Sequence, residues 1–133
     1  MKLAPSFSPR NEPGACLGRR VLFTSDSGYA TEQWLLENEP DLRADILVKG
    51  QHGKDLSGTP GFLLHVQPRA IIAAAPEIST SPADYADRAE TVTKQGIELF
   101  RQERTGAVHG VVASSQMEIK AFLTGQSWES NHR

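Results

Sequence analysis

The chain has 133 residues, of which 38% are hydrophobic and 23% charged, and a formal net charge of −2. That length suits one domain with a real core. Its 14 Lys and Arg are scattered, which excludes the clustered basic surface that sequence-independent nucleic-acid binding needs to displace counterions. Cys16 is the single cysteine, so neither an internal disulfide nor a cysteine-based zinc site can form. No apolar run reaches the roughly 18 residues of a membrane span. The first residues carry one Lys but no apolar core, so they do not read as a signal peptide and the chain shows no targeting signal.

Residues 1–19 contain Pro5, Pro9 and Pro13 and read as an irregular arm. A first strand is expected over 20–24. A helix follows over 29–38, capped by Asp26 or Ser27, with Ala30, Trp34 and Leu35 on its apolar face and Pro40 beyond its end. A second strand runs over 45–49. Thr59 then Pro60 suit an N-cap and first helical position, so a short helix over 60–66 would bury Phe62, Leu63 and Val66. The continuous apolar run 70–75 is typical of a strand covered on both faces.

Ser81-Pro82-Ala83-Asp84 opens a further helix with Tyr85, Ala89 and Val92 on one face, ended by Gly96. A strand over 97–100 follows, then two antiparallel strands over 107–113 and 117–123, and a polar tail over 125–133. This alternation predicts an α/β fold, a mostly parallel sheet with 70–75 near its middle and antiparallel C-terminal strands as its extension. Trp34, Leu35, Phe62, Leu63, Ile71 and Ile72 are the expected core.

Two polar loops close predicted strands and carry the candidate chemistry. Ser25-Asp26-Ser27-Gly28 offers Asp26, and Gly50-Gln51-His52-Gly53 offers His52. In open α/β sheets ligands bind outside the carboxyl ends of strands, where such loops gather. An Asp after a strand serves equally as a helix N-cap, and a His beside Gly as a solvated loop residue. The Gly-x-Ser-x-Gly elbow of α/β hydrolases is absent. Gly50–Lys54 lacks P-loop spacing and has no Ser or Thr after the Lys. His52, His65, His109 and His132 form no His-x-His or His-x-x-x-His pattern. A water-activating zinc site usually takes three protein ligands, and Asp26 with His52 supplies two.

In order, these motifs resemble the last third of the metallo-β-lactamase-like domain at the C-terminus of ComEC-type bacterial DNA-uptake (competence) proteins. Thr24-Ser25-Asp26 is similar to that family's Thr-Gly-Asp, and Glu32-Gln33-Trp34-Leu35-Leu36 to its helix with Glu and Leu-Leu. Gln51-His52-Gly53-Lys54 stands where the family has His-His-Gly-Ser. Val66-Gln67-Pro68-Arg69 resembles its Val-x-Pro-Arg before an apolar strand, and Thr105-Gly106-Ala107-Val108 its closing Gly-Ala-Val strand.

The resemblance covers about 20–124 and implies a partial metallo-β-lactamase-like fold, one α/β half. It implies zinc or manganese activating water for phosphodiester hydrolysis, with Asp26 and His52 as metal ligands and Gln51 and Lys54 at the substrate. The chain departs from it in lacking the His-x-His-x-Asp-His cluster, in Ser25 for Gly, in Gln51 for His and in Lys54 for Ser. These departures point to a degenerate, non-catalytic domain with no cofactor of its own in isolation. The alternative is a metal-dependent phosphodiesterase or nuclease domain, active only with the N-terminal half. The implied partners are the remainder of a ComEC-like membrane protein, DNA through that parent, and a second copy of this chain through self-association. The implied location is the extracytoplasmic face of the inner membrane.

Overall fold

The computed structural model describes residues 2–3, 18–25, 27–49, 57–74, 92–113 and 116–130. Strands β2 (Val21–Ser25), β3 (Ile46–Lys49), β4 (Ala70–Ala73) and β5 (Glu98–Arg101) are parallel neighbours in that order, and β1 (Lys2–Leu3) pairs antiparallel on the free side of β2. Parallel strands need crossovers long enough to return to the same end of the sheet. Helix α1 (Tyr29–Asn38) lies in the first and α2 (Pro60–Val66) in the second. A short helix α3 (Gln102–Thr105) leads from β5 to a second sheet of β6 (Val108–Val112), β7 (Met117–Ala121) and β8 (Ser127–Glu129), all antiparallel.

Side-chain alternation sorts the parallel sheet into two faces. Leu22, Leu47, Ile71 and Leu99 are register partners across β2 to β5 and meet Leu35, Phe62 and Val66 of the helices. The alternate residues Ile46, Ala70 and Phe100 face the other way and pack on Met117, Ile119 and Ala121 of β7. The domain is therefore three layers: helices, parallel sheet, antiparallel sheet. The antiparallel strands form a separate sheet stacked on this face rather than the expected extension. Arg69, at the start of β4, sets its guanidinium 5.5 Å from the ring centre of Trp128 on β8 and ties the two sheets together.

Local chemistry explains most element ends. Thr59 is the N-cap residue of α2 and Pro60 its first residue, as the sequence predicts. Helix α1 differs at its start: Gly28, not Ser27, is the N-cap residue, and its carbonyl accepts the Glu32 N–H at 3.2 Å. Ser27 is used instead in the turn out of β2, donating its N–H to the Thr24 carbonyl at 3.0 Å. Asp26, the other expected cap, lies outside the described residues, as does the helix start at Ser81. Residues 92–94 are helical and Gly96 follows at a φ of 75°, a conformation that suits its place as the helix terminator.

The expected core is corrected at one residue. Leu35, Phe62 and Ile71 are buried, while Leu63 and Ile72 are half-buried and Trp34 is 55% exposed. Helix α1 buries Glu32 with Leu35, three residues apart on one face. The adjacent Trp34 is turned about 100° from Leu35. The polar stretch 125–133 holds a strand that its composition does not signal. It is fixed by reciprocal bonds: the Met117 N–H donates to the Ser130 hydroxyl and the Ser130 N–H to the Met117 carbonyl, both at 2.8 Å. Within the expected arm 1–19, β1 contributes a two-residue pairing.

Burial separates two neighbours on β4. Ile71→Ala is expected to cost about 2–4 kcal/mol and Ile72→Ala about 1–2 kcal/mol, because only the first is fully enclosed. Urea unfolding of both variants reads the difference, and equal losses would contradict the assignment of faces.

Candidate functional site

The carboxyl ends of β2 to β5 form one edge, and its last register row is Ser25, Lys49, Ala73 and Arg101. Neighbouring strands are about 4.8 Å apart, so the Cα positions of Lys49 and Arg101 stand roughly two strand spacings from one another with Ala73 between them. Arg101 is ion-paired with Glu103 at the start of α3. Lys49 is 8% exposed, and its side chain lies along Gly58: a Cβ added there would sit 3.5 Å from Lys49 Cδ and Cε.

The chain returns to this edge at residues 57–59 and is clamped there by Glu32. The Glu32 carboxylate accepts the Gly58 N–H at 2.5 Å, the Thr59 N–H at 3.2 Å and the Thr59 hydroxyl at 3.0 Å. These backbone donors lie at the N-terminus of α2, where N–H groups lack helical partners and the dipole favours negative charge. Gly58 has φ of 66°, so a side chain at that position would be strained. Ser57 beside it is buried. Glu32, on α1, thus fixes the end of the β3–α2 connection.

Ser25 has φ of 52°, the left-handed region that β-carbons disfavour by about 1–2 kcal/mol. The pairing of β2 with β3 shifts register between Phe23 and Ser25. Thr24 is buried and directs its hydroxyl to the Val48 carbonyl at 3.5 Å. Ser25→Gly is expected to raise the unfolding free energy by about 0.5–1 kcal/mol, after the entropy cost of an added glycine. An unchanged or lowered urea midpoint would argue against strain at this position.

The sequence candidates stand in the following relation to the edge. Asp26 is one peptide beyond Ser25, and Gly50-Gln51-His52 begins one peptide beyond Lys49, so both loops spring from a pair of register partners. Asp26, Gln51, His52 and Lys54 themselves lie outside the described residues, as do Cys16 and His132. His65 is exposed on α2, with Nδ1 2.8 Å from the Gly61 carbonyl. His109 is on β6 in the other sheet. Among the described residues, no three His, Cys, Asp or Glu side chains stand together as metal ligands. The described part of the edge does not suit a metal, because both Glu32 oxygens are taken by donors.

Glu32 falls on a predicted helix, and its residue type alone points to no role there. Its signal is its three-residue spacing from Leu35, which puts a carboxylate on the buried stripe. Lys49 carries a weaker signal, a cation ending an otherwise apolar strand, and Arg101 a weaker one still, since its strand opens with Glu98. No family model, curated protein or solved structure matches the chain.

Proposed function

We propose that this chain is the C-terminal part of a metallo-β-lactamase-like domain of the ComEC type, degenerate at the metal site and non-catalytic. On this reading it serves a DNA-uptake protein by packing or partner binding. The observation that carries the reading is Ser25 at φ of 52°. It stands where that family has the glycine of Thr-Gly-Asp, and a left-handed backbone at this position is a physical reason for glycine there. Support also comes from the order of the described elements: strand, helix with Glu, strand, short helix, Pro-Arg, apolar strand.

The loss of hydrolysis rests on ligand count and charge. Gln51 is a neutral amide in place of the first His of the pair. Lys54 replaces a serine with a cation. Asp26 and His52 remain, one fewer than the three protein ligands usual for a water-activating zinc.

Elemental analysis after dialysis against zinc or manganese tests this. The expected result is metal far below one equivalent, unchanged in Asp26→Asn and His52→Ala, with no cleavage of single- or double-stranded DNA. One equivalent of metal in the unaltered chain, lost in both variants, would restore the phosphodiesterase reading.

A further inference from the structure

Among the described residues the two sheets have four edge strands, and three of them are blunted. β1 has two residues. β5 carries Glu98 and Arg101, and its Leu99 carbonyl accepts the Gln126 side-chain amide at 3.0 Å. β8 has three residues and includes Glu129. β6 is different. Its five residues, Val-His-Gly-Val-Val, include no Lys, Arg, Asp, Glu or Pro, and they pair one-to-one with β7 without a bulge. Val111 and Val112, on opposite faces of the strand, are 47% and 54% exposed. Among the described residues, none of the devices that normally protect a sheet edge is present on β6.

The ladder fixes which backbone groups this edge offers. Phe122 donates its N–H to the Ala107 carbonyl, and Ala113 donates its N–H to the Gln116 carbonyl. The intervening odd-numbered residues therefore bond toward β7, and Val108, Gly110 and Val112 direct their N–H and C=O groups away from it. We propose that β6 pairs antiparallel with β6 of a second copy of this chain, about a two-fold axis midway between the two Gly110 residues.

In that register Gly110 meets Gly110, and Val108 meets Val112 in both directions. Each of these pairs can exchange two hydrogen bonds, so every outward donor finds an acceptor. The arrangement is self-complementary, as an isologous contact must be. It also opposes no like charges. Lys120 is opposite His109 and Glu118 opposite Val111 within each copy, so each row across the joined sheets runs from the Lys120 of one copy to the Glu118 of the other. Strand-edge pairing covers less than the 1,200–2,000 Å² or so of a stable interface, so the dimer is weak and concentration-dependent.

The two-fold gives the test, since residue 110 faces its own copy. Sedimentation equilibrium of the full chain over the micromolar to millimolar range reads the association. Gly110→Glu and Gly110→Lys are each expected to weaken it about tenfold or more through like charges. An equimolar mixture of the two is expected to restore it. A Cβ at Gly110 would come no closer than 3.9 Å, to the Glu118 carbonyl oxygen, so the backbone there accepts a side chain's first atom without a clash. Far-UV circular dichroism checks folding; if either variant fails it, Val112→Pro serves instead, removing an outward donor at an edge position that tolerates proline. A chain that stays monomeric throughout, or a dimer untouched by these changes, would overturn the proposal.

Discussion

Replacing Glu32 by Ala is expected to lower the unfolding free energy by about 3 kcal/mol. The side chain is 1% exposed and accepts from Gly58 N, Thr59 N and the Thr59 hydroxyl. Bonds to a charged acceptor contribute about 1.5–3 kcal/mol each, and a buried donor left alone costs about 1–3 kcal/mol. These terms do not add fully, because the freed residues 57–59 can relax toward water. Glu32→Gln is the more informative variant. It keeps the shape and one acceptor oxygen but turns an amide NH2 toward groups that are themselves donors. An intermediate loss of about 1–2 kcal/mol is expected. Urea unfolding with an unchanged slope reads both values. A loss below about 1 kcal/mol for the alanine variant would mean that the clamp contributes little to the fold.

The second large effect is at Phe62, with an expected loss of about 3–5 kcal/mol for Phe62→Ala. Phe62 is fully buried and packs in the cluster that joins α2 to Leu22, Leu47 and Ile71 of the sheet. Helix α2 has seven residues, too few to be stable alone, so it depends on Phe62 and Val66 beneath it and on Glu32 at its start. Trp34→Ala, though it removes a larger ring, is expected to cost under about 1 kcal/mol, since Trp34 is 55% exposed. If Trp34 proved as costly as Phe62, the packing face described for α1 would be wrong.

The fold was legible where one local rule acted alone. Thr59-Pro60 marked the start of α2, the run 70–75 marked a strand covered on both faces, observed over Ala70–Ala73, and the strands expected on either side of 114–116 pair antiparallel as β6 and β7. It was less legible where tertiary contacts chose between local options. Helix α1 has nearly as much apolar surface on its Trp34 side as on its Leu35 side. The buried side was decided by Gly58 and Thr59, whose donors require the carboxylate of Glu32. Residues 127–129 carry no alternating apolar pattern, and β8 forms because Trp128 reaches the inner face and Ser130 completes the Met117 backbone. Stacking of the second sheet, as opposed to extension of the first, depends on residues far apart in sequence, such as Phe100 and Ile119. At the candidate site, the two loops that carry Asp26 and His52 could be assigned to strand ends from sequence, and Ser25 and Lys49 are register partners at those ends. The Glu32 clamp could not be foreseen, because a Glu in the first turn of a helix is usually solvated.

The most direct test of a non-catalytic edge is manganese titration of the isotope-labelled chain followed by nuclear magnetic resonance. Bound manganese broadens the amide signals of nearby residues, so it reports location as well as occupancy. No preferential loss of signal is expected for residues 23–28 and 47–54 at low metal concentration, in the unaltered chain and in Asp26→Asn alike. Selective broadening of both segments in the unaltered chain, abolished by Asp26→Asn, would contradict that expectation and make this edge a metal site.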